Sequence, residues 1–119
     1  MKSYTDIEQS KKLAKILPIE SADMCWVTDE IEPLWGVVKS EPDDNFEVVP
    51  SWSLSALLDI LPHRIDVRYD LVLGKLSDDK GWYVVYDDVD HFARFYVTHS
   101  DLIDACVEMI VKLKEKDLL

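Results

Sequence analysis

The run Arg68-Tyr69-Asp70-Leu71-Val72-Leu73-Gly74-Lys75-Leu76-Ser77-Asp78-Asp79-Lys80-Gly81-Trp82-Tyr83-Val84-Val85-Tyr86 decides the fold class. From Arg68 to Leu73, polar and apolar residues alternate and then merge into an apolar run. Trp82 to Tyr86 is rich in aromatic and β-branched residues, as a strand is. Between them, Ser77-Asp78-Asp79-Lys80-Gly81 is turn chemistry, with Gly81 free to take a positive φ. The stretch predicts an antiparallel hairpin, and Phe92-Ala93-Arg94-Phe95-Tyr96-Val97 predicts a third strand beside it.

Helices flank this hairpin. Downstream, Leu102, Ile103, Cys106, Met109, Ile110 and Leu113 recur at helical spacing and form a wide apolar stripe. Thr98 or Ser100 is the expected N-cap, with Asp101 and Asp104 in the first turns, where negative charge suits the helix dipole. Glu108 and Lys112 stand at i and i+4 in the favourable order. Upstream, Leu54, Leu57, Leu58 and Leu61 form a leucine stripe on a short helix capped by Ser51 or Ser53 and stopped by Pro62. At the start of the chain, Thr5-Asp6-Ile7-Glu8 has the form of a capping box, opening a helix that runs to Leu17 before Pro18.

Residues 19–50 suggest short strands at Met24–Val27, Leu34–Val38 and Phe46–Val49, punctuated by Pro33, Pro42 and Pro50. The expected fold class is therefore α+β: an antiparallel sheet, built from the hairpin plus further strands, with about three helices packed mainly on one face. A length of 119 residues suits a single domain, 1–119.

The 24 acids outnumber the 13 Lys and Arg, for a net charge of −11. Residues 20–47 hold nine acids (Glu20, Asp23, Asp29, Glu30, Glu32, Glu41, Asp43, Asp44, Glu47) against Lys39 alone, so this segment carries −8. Such a field repels phosphates, and direct nucleic-acid binding is not expected. No run approaches the roughly 20 apolar residues of a membrane span, and no apolar signal region follows Met1, so the chain reads as cytosolic, without a membrane partner. Cys25 and Cys106 sit among apolar neighbours and read as reduced, structural thiols.

Candidate chemistry is sparse. Asp87-Asp88-Val89-Asp90-His91 has metal-ligand residue types, but its spacing matches neither an EF-hand loop nor a zinc helix, and a solvated turn between strands explains it. Ser51, Ser53 and Ser55 lack the glycine flanks of a nucleophile elbow, and helix capping accounts for the first two. With only Gly36, Gly74 and Gly81, no phosphate-binding glycine loop can be drawn. No catalytic residue, metal or cofactor is expected. Trp35 and Trp52 both border acidic, turn-like sequence, and Trp is enriched at interface hot spots. The competing reading is that they roof the core. With Asp43 and Asp44 they make up the candidate partner-binding set.

Four blocks, Tyr4-Thr5-Asp6-Ile7-Glu8-Gln9-Ser10-Lys11-Lys12-Leu13, Ser21-Ala22-Asp23-Met24, Trp52-Ser53-Leu54-Ser55-Ala56-Leu57-Leu58 and Asp104-Ala105-Cys106-Val107-Glu108-Met109-Ile110, together resemble a family of short uncharacterised proteins of gut Bacteroidetes. These often stand in prophage or mobile-element settings. The resemblance implies a bacterial or phage origin and carries over no catalytic residue. The C-terminal half, a hairpin, a strand and then a helix with Leu102-Ile103-Asp104-Ala105, also broadly resembles HicB-type antitoxins. Tyr96-Val97-Thr98-His99-Ser100 stands where those proteins carry a glycine-containing segment.

The leading functional expectation is a non-enzymatic accessory protein that binds a basic protein surface through its acidic segment. Two alternatives stay open: an acidic mimic of nucleic acid that occupies a host DNA-binding protein, and a small enzyme of unrecognised type.

Overall fold

The computed structural model describes residues 2–27, 32–35 and 48–119. The fold is α+β, with all strand pairing antiparallel. Where one sheet was expected, the strands among the described residues divide between two, one of three strands and one of four. The chain likewise divides into two compact units, Ser3–Leu57 and Leu58–Leu119, the latter including the first two residues.

In the Ser3–Leu57 unit, helix α1 (Ile7–Ala14) begins one residue later than the sequence suggests. Asp6, not Thr5, is the N-cap: its carboxylate accepts the Gln9 amide (2.8 Å), and the Asp6 amide donates to the Gln9 Oε1 (3.1 Å). The capping box is present, shifted by one. The helix also stops at Ala14, three residues short of Leu17.

Thr5 is displaced from the cap because it has another task. It is fully buried beside Ser10 and Ser51, also fully buried, and its hydroxyl lies 2.7 Å from that of Ser10 and 3.1 Å from that of Ser51. The Trp52 amide donates to the same hydroxyl, while the Thr5 carbonyl accepts the indole N–H of Trp26 (3.1 Å). The Thr5 amide donates to the Trp52 carbonyl. Paired in this way, the buried polar groups do not carry the desolvation cost they would have alone.

Strands β1 (Met24–Val27), β2 (Leu34–Trp35) and β3 (Val48–Ser51) form the three-stranded sheet in the order β2-β1-β3. Pro50, expected to end a strand, lies inside β3 opposite Cys25. An edge strand tolerates a residue with no amide to donate. Helix α2 (Leu54–Ile60) follows, capped by Ser53, whose hydroxyl accepts the Ala56 amide. Asp23 fixes that cap by accepting both the amide and the hydroxyl of Ser53. Of the two serines proposed as caps, Ser51 instead belongs to the Thr5 cluster.

In the Leu58–Leu119 unit, β4 (Arg64–Ile65), β5 (Tyr69–Lys75), β6 (Trp82–Asp87) and β7 (Ala93–His99) pair in sequence order. The β5–β6 hairpin runs from Asp70 opposite Asp87 to Lys75 opposite Trp82. In its turn the left-handed residue is Asp79 (φ 58°), not Gly81. Gly81 is required for a different reason: a Cβ there would stand 2.6 Å from the His99 carbonyl oxygen.

Helix α3 (Leu102–Glu115) packs on β6 and β7. Its cap is Asp101, which accepts the Ile103 amide (2.8 Å) and the Lys2 amide (2.6 Å), rather than Thr98 or Ser100. The expected apolar stripe is buried throughout, and Ala105 and Val107 are buried with it. Glu108 faces His99, 3.5 Å from its Nε2.

Two core substitutions test this account. Met109→Asp should abolish cooperative folding of the four-stranded unit, because an unpaired buried carboxylate costs several kcal/mol. Thr5→Val keeps the shape but strips partners from Ser10, Ser51 and the Trp52 amide, and should cost about 1–3 kcal/mol. Urea denaturation followed by circular dichroism measures both.

Candidate protein-binding surface

Of the four candidate partner-binding residues, two lie within the described residues. Asp43 and Asp44 lie outside the described residues. Trp35 sits in β2, paired with Met24. Trp52 is fully buried, and its indole N–H donates to the Ser21 hydroxyl (3.0 Å), so its ring offers a partner no surface. Its polar group is satisfied internally, and its bulk fills the core.

A different surface stands at one end of the four-stranded sheet. The β4–β5 turn and the β6–β7 turn meet there because Asp70 pairs with both Arg64 and Asp87 in the ladder. In the first turn, Asp66 (φ 50°) and Val67 (φ 68°) are both left-handed, and the Arg68 amide closes the turn onto the Ile65 carbonyl. The loop between the paired Ile65 and Tyr69 holds three residues, and its first two take a left-handed conformation that hairpin turns usually reach with Asn or Gly. A β-branched Val there is an outlier whose strain is of order 1–3 kcal/mol. Burial does not offset it, because Val67 is 89% exposed.

The second turn is organised by one carboxylate. Asp88 is buried, and its Oδ1 accepts the amides of Asp90 (2.9 Å) and Phe92 (3.0 Å). Its Oδ2 accepts from Arg68 Nη2 (2.6 Å), which ties the second turn to the first. The Phe92 amide, then the Arg68 guanidinium, hold the Asp88 carboxyl below the ordinary carboxylate range. Arg94 pairs with Asp66, and Arg64 with Asp70 (2.7 Å), so three Arg–Asp pairs brace this end. The braced turns hold Val89 (88% exposed) and Phe92 (70% exposed) in water alongside Val67.

The sequence of Asp87–His91 has the pattern of a turn with ligand-type residues, and the apolar side chains within and beside it are not marked by that pattern. The available signal was that Val67 and Val89 each stand alone between charged residues, where folding gives an apolar side chain nothing to bury against. The Asp88 carboxylate is committed to the turn itself.

Elsewhere, the most strongly shifted groups lie in the core. Burial, with the Asp101 charge adding to it, pushes the Cys106 thiol up to about 12, and burial also raises the Tyr86 phenol, whose hydroxyl donates to the Pro62 carbonyl (2.7 Å). A thiol so shifted stays protonated and a poor nucleophile at neutral pH. No helix among the described residues is long and apolar enough to cross a membrane. Comparison with known proteins returned no matching family, no matching curated protein and no matching solved structure.

The Asp88 clamp carries a pH signature. A carboxyl whose native pKa is depressed contributes stability above its unfolded pKa, near 3.8. That contribution is lost as pH falls through the lower native value. Wild type should therefore be more stable than Asp88→Asn at neutral pH, with the gap closing under acid. Urea midpoints for both proteins across that range measure it.

Proposed function

We propose that this chain is a non-enzymatic protein-binding module whose partner presents a basic surface with an apolar recess. The observation that carries this reading is the braced sheet end, where Val67, Val89 and Phe92 are held exposed on turns tied by Arg68 and Asp88. Side chains held in place before binding lose less freedom on association, which favours their use as anchors. Strain at Val67 persists although glycine would relieve it, and unrelieved strain is a mark of functional positions. The basic character of the partner is inferred from charge. Residues 20–47 carry −8 of the total −11, and concentrated like charge opposes folding through self-repulsion.

The partner is to be recovered by affinity capture and purified, and its association rates then compared. Raised salt should slow association with the wild-type chain, because screening removes electrostatic steering. Asp43→Asn combined with Asp44→Asn should slow it at low salt. Val67→Gly should bind more weakly yet be more stable by about 1 kcal/mol, since glycine takes the left-handed conformation without strain. Rates insensitive to salt, with undiminished binding by Val67→Gly and Phe92→Ser, would overturn the reading.

A further inference from the structure

The two edges of the four-stranded sheet are built differently. Open edge strands invite pairing with another chain, and proteins blunt them by shortness, proline, lysine or inward charge. The β4 edge is two residues long. The β7 edge runs for seven residues, Ala93-Arg94-Phe95-Tyr96-Val97-Thr98-His99, without Pro, Lys or any acid. Its register on β6 shifts at Arg94, and from Phe95 to His99 the pairing is regular. Among the described residues no strand pairs with its outer side.

The ladder shows which groups face outward. The Leu76 amide donates to the Gly81 carbonyl (2.9 Å), so Gly81 directs its backbone groups to the β5 side. Backbone direction alternates residue by residue in an antiparallel ladder, so Trp82, Val84 and Tyr86 turn towards β7. Their partners His99, Val97 and Phe95 bond to β6. The register shifts between Tyr86 and Asp87, where Arg94 is the extra residue, so the alternation holds from Phe95 to His99. Tyr96 and Thr98 therefore point N–H and C=O away from the sheet.

We propose that β7 is a homodimer edge: two copies pair antiparallel about a two-fold axis at Tyr96 and join their four-stranded sheets. In this register Tyr96 lies opposite its own copy, so its outward N–H and C=O are both satisfied, and Thr98 falls opposite Arg94, so no like charges are opposed. Tyr96, 54% exposed, already stacks on Tyr83 with centroids 6.4 Å apart, and a second Tyr96 would extend that aromatic row. The basic partner of the previous section does not fit here. The edge strand has no acid to receive it. A second copy meets neutral residues instead.

The salt dependence separates this inference from the proposed function. Two copies of a chain of charge −11 repel, so screening strengthens dimerisation, whereas it weakens binding to a basic partner. Sedimentation equilibrium of the full chain should show a monomer–dimer equilibrium that shifts towards dimer as salt rises. Tyr96→Lys, which sets like charges opposite each other, should raise the dimer dissociation constant roughly tenfold. Tyr96→Pro, which removes an outward amide, should act in the same direction. If the proline variant does not fold by circular dichroism, the lysine variant decides. Hydrogen exchange should show the amide of Tyr96 becoming protected as protein concentration rises, while those of Phe95, Val97 and His99 are protected at every concentration. A monomer at all concentrations overturns the proposal. So does a dimer that weakens with salt, a dimer untouched by Tyr96→Lys, or one that leaves the Tyr96 amide unprotected.

Discussion

A polar group taken out of water must find a partner, and both units are arranged around one residue that meets this requirement. In the Ser3–Leu57 unit that residue is Thr5. Its hydroxyl, amide and carbonyl together engage Ser10 of α1, Trp26 of β1, and Ser51 and Trp52 at the end of β3. Three segments far apart in sequence are thereby held to one point. Leaving any one of these buried groups unmatched costs more than a formed hydrogen bond contributes net, so the cluster specifies position as much as it adds stability. Among the described residues, no buried side-chain nitrogen or oxygen lacks a partner.

Asp88 does the corresponding work in the other unit, with a charge in place of a hydroxyl. A buried carboxylate is tolerated when several donors converge on it, and two backbone amides and a guanidinium do so here. The outcome is a pair of turns whose shape does not depend on apolar burial. That releases Val67, Val89 and Phe92 from any structural role and leaves them exposed. Stability and exposure are thus assigned to different side chains of the same loops, and the surface can be read as a binding feature without weakening the account of the fold.

The same division explains which features were legible in the sequence. Helix existence and the buried face of α3 followed from periodicity, since apolar spacing depends only on the geometry of the helix itself. The starts of α1 and α3 were displaced by one residue or more, with Asp6 in place of Thr5 and Asp101 in place of Thr98 or Ser100, while Ser53 caps α2 as expected. Thr, Ser and Asp are all competent caps, and the choice among them was made by contacts distant in the chain. Thr5 was drawn into the core by Ser51 and Trp52, and Asp101 received the Lys2 amide. Gly81 was correctly marked as special, but for a turn conformation rather than for the close approach of the His99 carbonyl from the neighbouring strand.

By itself the sequence determined the α+β class, the hairpin with its third strand, the three helices and the concentration of acid in residues 20–47. These rest on periodicity, turn chemistry and composition, which are local. Only the tertiary structure decided that the strands divide between two sheets, that Trp52 is enclosed while Phe92 is left in water, and that Val67 is held left-handed at a braced sheet end. Each of these depends on which distant residues come to share a hydrogen bond or a ladder register. The Arg68–Asp88 pair shows the reason most plainly: twenty positions apart in sequence, the two residues meet only after the hairpin has formed.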